Sequence, residues 1–107
     1  MMAEKRKVVF ISGPMTGLPD FNRAAFNAEA ERLTALGFIV LNPAVFPDGL
    51  AHGQYMAMCL PMVEQADTIM MLAGWESSKG AVMEFNHAKE LQLPIIYQSA
   101  AAEVKCG

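Results

Sequence analysis

Four short runs rich in β-branched and aromatic residues recur along the chain: "KVVFIS" (Lys7 to Ser12), "FIVLNP" (Phe38 to Pro43), "DTIMML" (Asp67 to Leu72) and "PIIYQ" (Pro94 to Gln98). A stretch with helical period stands between each pair. Strands separated in this way cannot close as tight hairpins, so each step needs a crossover, and crossovers between parallel strands are right-handed. The order therefore predicts a parallel sheet with helices on both faces. The expected α/β architecture is a Rossmann-like, flavodoxin-like three-layer sandwich of about four to five strands. At 107 residues the chain is read as a single domain, 1–107.

The helical period rests on Phe26, Ala30 and Leu33 in the first segment, which begins at Phe21, with Asp20 placed to cap it and Gly37 to end it. In the second, Tyr55 to Ala66, it rests on Cys59, Met62, Val63 and Ala66, and Pro61 either kinks the helix or opens its straight part. In the third, Lys79 to Gln92, Ala81, Phe85 and Ala88 mark the inward face. Asn42 to Gln54 has two prolines, two glycines and no clear period, so it reads as an irregular connection of a length that often carries function. The closing "SAAAEVKCG" either adds a short helical turn or is loose.

Composition narrows the partners. Hydrophobic residues make up 53% and charged residues 18%, which is too apolar for disorder and leaves apolar surface for a subunit contact. A homo-oligomer, dimer or higher, is expected. The net charge of -3 has no basic run behind it except Lys5 to Lys7, so nucleic acid is not an expected partner. "VVFIS", the first apolar segment, is too short for a signal-peptide core or a membrane span, so the expected location is the cytoplasm with no membrane partner. Cys59 and Cys106 lie far apart and His52 and His87 form no cluster, so neither a disulfide, a metal nor another cofactor is expected. Cys59 reads as a small buried apolar residue and Cys106 as a thiol on a frayed tail.

In an open α/β sheet the ligand crevice lies beyond the carboxyl ends of the strands, where strand order reverses. Three loops leave those ends: "GPMTGLPD", the Asn42 to Gln54 connection, and "AGWESSKG". Gly13 and Gly17 let the first loop turn tightly, but it lacks the Lys-Ser/Thr of a P-loop and the dinucleotide glycine spacing. It reads either as a phosphate cradle or as a plain strand-to-helix turn. In the third loop Ser77 and Ser78 precede a helix start, where free N–H groups and the dipole favour an anion. An ordinary N-cap accounts for one serine; the second, with Lys79 and Gly80, fits a phosphate or sugar-hydroxyl site. Trp75 either stacks on a nucleobase or covers the core edge.

Glu84 borders the inward face of the third helix, and its helical neighbours Gly80, Ala81 and Ala88 are all small. It lies within two turns of the helix start, where the dipole is expected to keep a carboxylate ionised. Two readings stand at this point. Glu84 is a nucleophile beside space for a substrate carbon, or it is a flank glutamate that reaches solvent or pairs with Lys79 or Lys89.

Ser78, Gly80 and Glu84 form S-x-G-x-x-x-E, after a strand that starts "AD" and before Ala88. This resembles the motif of the nucleoside 2-deoxyribosyltransferase-like superfamily, which includes deoxynucleoside monophosphate N-glycosidases. "FISGPMTG", the block from "YMAMC" to "ADTIMMLAGWESSKGA" and "LPIIY" also resemble a small phage and bacterial family of unassigned function within it. The resemblance spans nearly the whole chain.

It implies that Glu84 attacks an anomeric carbon through an oxocarbenium-like state, displacing a base from a nucleoside or nucleotide. It further implies that Ser78 and Ser77 hold a 5′-phosphate or sugar hydroxyl with Gly80 beside them, and that the first-loop segment Ser12 to Gly17, with Ser12, Gly13, Met15 and Gly17, lines the other wall. Two departures stand out. About two helical turns before the "AD" aspartate, where the enzymes carry an active-site aspartate, this chain has Cys59, a weak hydrogen-bonder with a higher pKa. The assisting tyrosine has no counterpart on the first strand, where Phe10 and Ser12 stand; Tyr55 and His87 are the candidates to replace it, and His87 reads equally as an exposed helix residue. Asp67 is read as marking the start of its strand. The alternatives to an enzyme are a non-catalytic nucleotide-binding module and a phage-type interaction protein on the same fold.

Overall fold

The computed structural model describes residues 6–98; Cys106, Lys5 and the closing segment from Ser99 lie outside them. Four strands, β1 (Val8–Ser12), β2 (Ile39–Leu41), β3 (Thr68–Met71) and β4 (Ile95–Tyr97), alternate with three helices, α1 (Arg23–Ala35), α2 (His52–Gln65) and α3 (Lys79–Glu90). All pairs are parallel and the sheet order is β2-β1-β3-β4. The chain thus steps from β1 to one side and returns across it to the other. This is the α/β, Rossmann-like sandwich that the strand and helix order predicts.

The period of two along the strands divides the core into two layers. Phe10, Ile69 and Met71 pack with Cys59, Val63, Ala81 and Ala88 of α2 and α3. Val9, Ile11, Met70 and Leu72 pack with Phe26 and Leu33 of α1 on the opposite face. Ser12 shares parity with Phe10, so the last residue of β1 is delivered to the α2 and α3 side with no exposed surface. Asp67 fixes the register: its Oδ2 accepts from Val8 N at 2.8 Å and its own N–H donates to Val8 O at 2.7 Å.

Three helix boundaries differ from the sequence expectation. α1 starts at Arg23, because Asp20, Phe21 and Asn22 take left-handed backbone angles (φ 48°, 53° and 61°). Asp20 caps nothing there; its carboxylate is engaged by Arg23 Nη1 at 2.9 Å. α2 begins at His52, where Gln54 Oε1 accepts from the Ala51 N–H at 2.8 Å and so satisfies a free donor at the helix start. It then runs through Pro61 to Gln65. α3 stops at Glu90, since Gln92 turns left-handed at φ 61°.

Candidate functional site

β1 and β3 are neighbours, but α1 leaves β1 for one face of the sheet and α3 leaves β3 for the other, so the loops after β1 and β3 part over the carboxyl edge and open a cleft there. The cleft encloses about 110 Å³. The loop after β1 contributes Gly13, Met15, Thr16 and Phe21, and the connection after β2 contributes Pro43 and Phe46. From the first turns of α2 come His52, Tyr55, Met56 and Cys59, and from the start of α3 come Ser78, Gly80 and Ala81. A Cβ on Gly80 would lie 3.3 Å from Met56 Sδ and 3.6 Å from His52 Cε1, so its missing side chain lets α2 close against α3.

Arg23, at the first position of α1, ties the cleft mouth together. Its Nε donates to Ala44 O at 3.1 Å and its Nη2 to Phe46 O at 3.0 Å, fixing the connection after β2. Salt bridges to Asp20 at 2.9 Å and Asp48 at 2.5 Å complete the clamp. Four donor contacts converge on one planar group, the geometry a guanidinium fork supplies. The guanidinium also sits 5.4 Å from the centre of the Phe21 ring, so the left-handed turn and the connection after β2 are held by the same side chain.

Glu84 lies behind the wall of this cleft rather than in it. Helical side chains lean toward the N-terminus and cover the preceding turn, which here is Gly80 and Ala81, both in the cleft wall. Only 6% of Glu84 is exposed. Its Oε1 meets the Ser12 hydroxyl at 2.5 Å, and Cys59 is near enough to influence the same carboxyl.

Burial pushes the Glu84 carboxyl up to about 7, against the downward pull of Ser12 and Cys59. That overturns the expectation of a carboxylate kept ionised by the helix dipole: the side chain has left the helix flank for the layer beneath β1, where desolvation dominates. Cys59 is pushed up to about 12 by its own burial and then by Glu84. Among the described residues no lysine or arginine forms an ion pair with Glu84. Lys89 instead lies over the Phe85 ring. The other buried carboxylate, Glu29, is paired with Arg32.

The remaining residues singled out in the sequence divide between cleft and scaffold. Gly13, Met15, Ser78 and Gly80 line the cleft. Ser78 is also the N-cap of α3, its Oγ accepting from Ala81 N at 3.2 Å. Ser12 and Glu84 are not wall residues; Cys59 and Ala81 are the ones presented there. Ser12 therefore faces the carboxyl rather than the cleft space. Gly17 is exposed and lines no part of the cleft.

Ser77 donates its hydroxyl to Gly74 O at 2.9 Å and borders a second groove, which shares Thr16, His52, Ser78 and Gly80 with the cleft. Trp75 takes the core-covering role, stacked on Phe85 with centroids 4.4 Å apart and tilted against Tyr97 at 6.3 Å. Of the two candidates for the missing assisting group, Tyr55 lines the cleft with its hydroxyl already bonded, and His87 lies outside the cleft lining. Tyr55 donates its hydroxyl to Pro47 O at 2.6 Å, and His87 pairs with Glu64 at 2.9 Å.

Sequence reasoning passed over Arg23 and His52. Arg23 carries the ordinary pattern of a polar helix position, and only the acid three residues before it, Asp20, hinted at a partner. His52 fell in the stretch without a period. Among the described residues no cluster of three or more His, Cys, Asp or Glu is placed to hold a metal ion, and no helix is long and apolar enough to cross a membrane.

Residues 7–97 match the family described as "Domain of unknown function (DUF4406)", and the chain belongs to that family. No curated relative matches the chain.

Proposed function

We propose that this member of a family of unknown function binds a nucleoside or nucleotide in the cleft and cleaves or transfers its N-glycosidic bond, with Glu84 as nucleophile. The observation that carries this reading is Glu84 itself: a buried carboxyl that pairs with no cation among the described residues, behind the wall of a cleft at the strand-order switch, with a pKa raised to about 7. Carboxyls shifted by burial in a cleft mark functional sites more often than structural ones. The resemblance to the nucleoside 2-deoxyribosyltransferase-like superfamily, through Ser78, Gly80 and Glu84, supplies the reaction class.

In that reaction the ionised Glu84 forms a bond to the anomeric carbon as the carbon–nitrogen bond breaks, and the electron pair leaves with the base. Water or a second base then attacks the same carbon and releases the carboxylate. Cys59 and Ala81, both small, are the residues that the cleft wall presents in front of the carboxyl. Ser78 and the free N–H groups at the start of α3 suit a phosphate or sugar hydroxyl.

A second reading, a nucleotide-binding module without turnover, draws on Cys59. Its thiol, pushed up to about 12, is a poor proton donor for a leaving base at neutral pH, and the Tyr55 and His87 side chains already have partners. One experiment separates the two. Ribo- and 2′-deoxyribonucleosides and their 5′-monophosphates are incubated with wild type and with Glu84→Gln, free base is quantified by chromatography, and binding is measured by calorimetry. The enzyme reading expects base release that Glu84→Gln abolishes while binding persists. Binding by both proteins with release by neither establishes the module, and neither binding nor release across the panel refutes both readings.

A further inference from the structure

The Ser12 hydroxyl is an unusual group to end a buried strand. It has no exposed surface, and the other residues β1 turns inward are apolar. Placing a hydroxyl there requires a partner. Its partner is Glu84 Oε1 at 2.5 Å, across 72 residues of sequence. A hydroxyl can donate to an ionised carboxylate, whereas methyl or thiol groups at the same place donate nothing or little.

The surroundings leave few alternatives. β3 presents Ile69 and Met71 on this side of the sheet, both apolar. α2 presents the Cys59 thiol, held neutral by burial. The other titratable groups described along the α2–α3 contact are His52, beside Gly80, and Glu64 and His87, which pair with each other, with Glu90 3.9 Å from the His87 ring.

We propose that Ser12 is a positioning residue, whose buried hydroxyl donates to Glu84 Oε1, fixes the carboxyl behind the cleft wall and favours its ionised form. The inference rests on the reading of Glu84 as nucleophile for its role in turnover. The hydrogen bond and its effect on Glu84 can be measured without turnover.

The test is a carboxyl titration by carbon-13 NMR on protein with labelled glutamate, the Glu84 signal being identified by its loss in Glu84→Gln. In Ser12→Ala the midpoint of Glu84 is expected to rise by about one to two pH units, the size of a lost hydrogen bond to a charged group. In Ser12→Cys, where a weaker donor keeps nearly the same volume, the midpoint is expected to fall between wild type and Ser12→Ala. Should Ser12→Ala fail to fold, Ser12→Cys carries the test by its rise above wild type.

An unchanged or lowered midpoint in the folded variants overturns the inference even if wild type releases base. Where wild type does release base, the alkaline shift should reappear in the pH profile of kcat for Ser12→Ala, with KM little changed. A shifted midpoint together with no base release from any substrate refutes the nucleophile reading and leaves the positioning of Glu84 by Ser12 standing.

Discussion

Replacing Glu84 by glutamine should make the protein more stable at neutral and alkaline pH. The carboxyl is raised from its ordinary 4.5 to about 7 by burial, so the folded protein binds a proton more tightly than the unfolded chain. Stability contributed by that proton is fully present below pH 4.5 and is lost as pH rises through 7. The full difference corresponds to about 3 kcal/mol. Glutamine keeps the shape and cannot ionise, so it escapes the loss. Urea denaturation of wild type and Glu84→Gln at steps from pH 4.5 to 8.5 measures the gap directly, and groups common to both proteins cancel. The variant's relative stability should grow from pH 4.5 to 7 and then level off about 3 kcal/mol higher, which for a domain of this size is a melting gap on the order of 10 °C. A gap that stays constant across that range refutes burial as the dominant influence on Glu84. A gap that moves the other way, with wild type gaining as pH rises, would mean that Ser12 and Cys59 outweigh it.

Two further substitutions probe the frame around the cleft. A Cβ at Gly13 would lie 2.7 Å from Leu72 Cβ, so Gly13→Ala should force β1 and β3 apart at their carboxyl ends and destabilise by about 1–3 kcal/mol, read from the urea midpoint. Gln92 closes α3 at φ 61° while exposed, and Gln92→Gly should relieve that backbone and raise stability by about 0.5–1 kcal/mol, with the melting temperature as the measure.

The architecture was legible because it is written in local periods. Alternation along β1 and β3 is enforced by two cores on opposite faces, and the helices between the strands make each step a parallel crossover, while the order β2-β1-β3-β4 came from the structure. What escaped was set by contacts across the chain. Phe21 reads as the start of an amphipathic helix, yet Arg23 draws Asp20, Ala44, Phe46 and Asp48 together and the preceding turn becomes left-handed. The motif identified Glu84, but the helix alone suggested an ionised flank residue. Only the arrival of Ser12 from β1 reveals that the side chain is roofed by the sheet and that its electrostatics are those of an interior. Trp75 was equally ambiguous until Phe85 and Tyr97 were placed beside it.

The raised pKa of Glu84 and its proposed role as nucleophile pull against each other, and the charge that develops on a substrate reconciles them. An ionised carboxylate that has lost its water gains more from positive charge developing at an anomeric carbon than a solvated one would, because the attraction acts through a medium of lower dielectric. The gain appears only as that charge develops, which is the condition for lowering a barrier rather than deepening a ground state. A neutral ligand that is merely bound has the opposite preference: it is met best by the protonated carboxyl, with a donor to offer. Proton linkage therefore distinguishes the two functions at the same residue. A nucleophile requires activity that rises through about pH 7 as Glu84 ionises, whereas a binding module that uses the protonated carboxyl as donor requires affinity that falls over that interval.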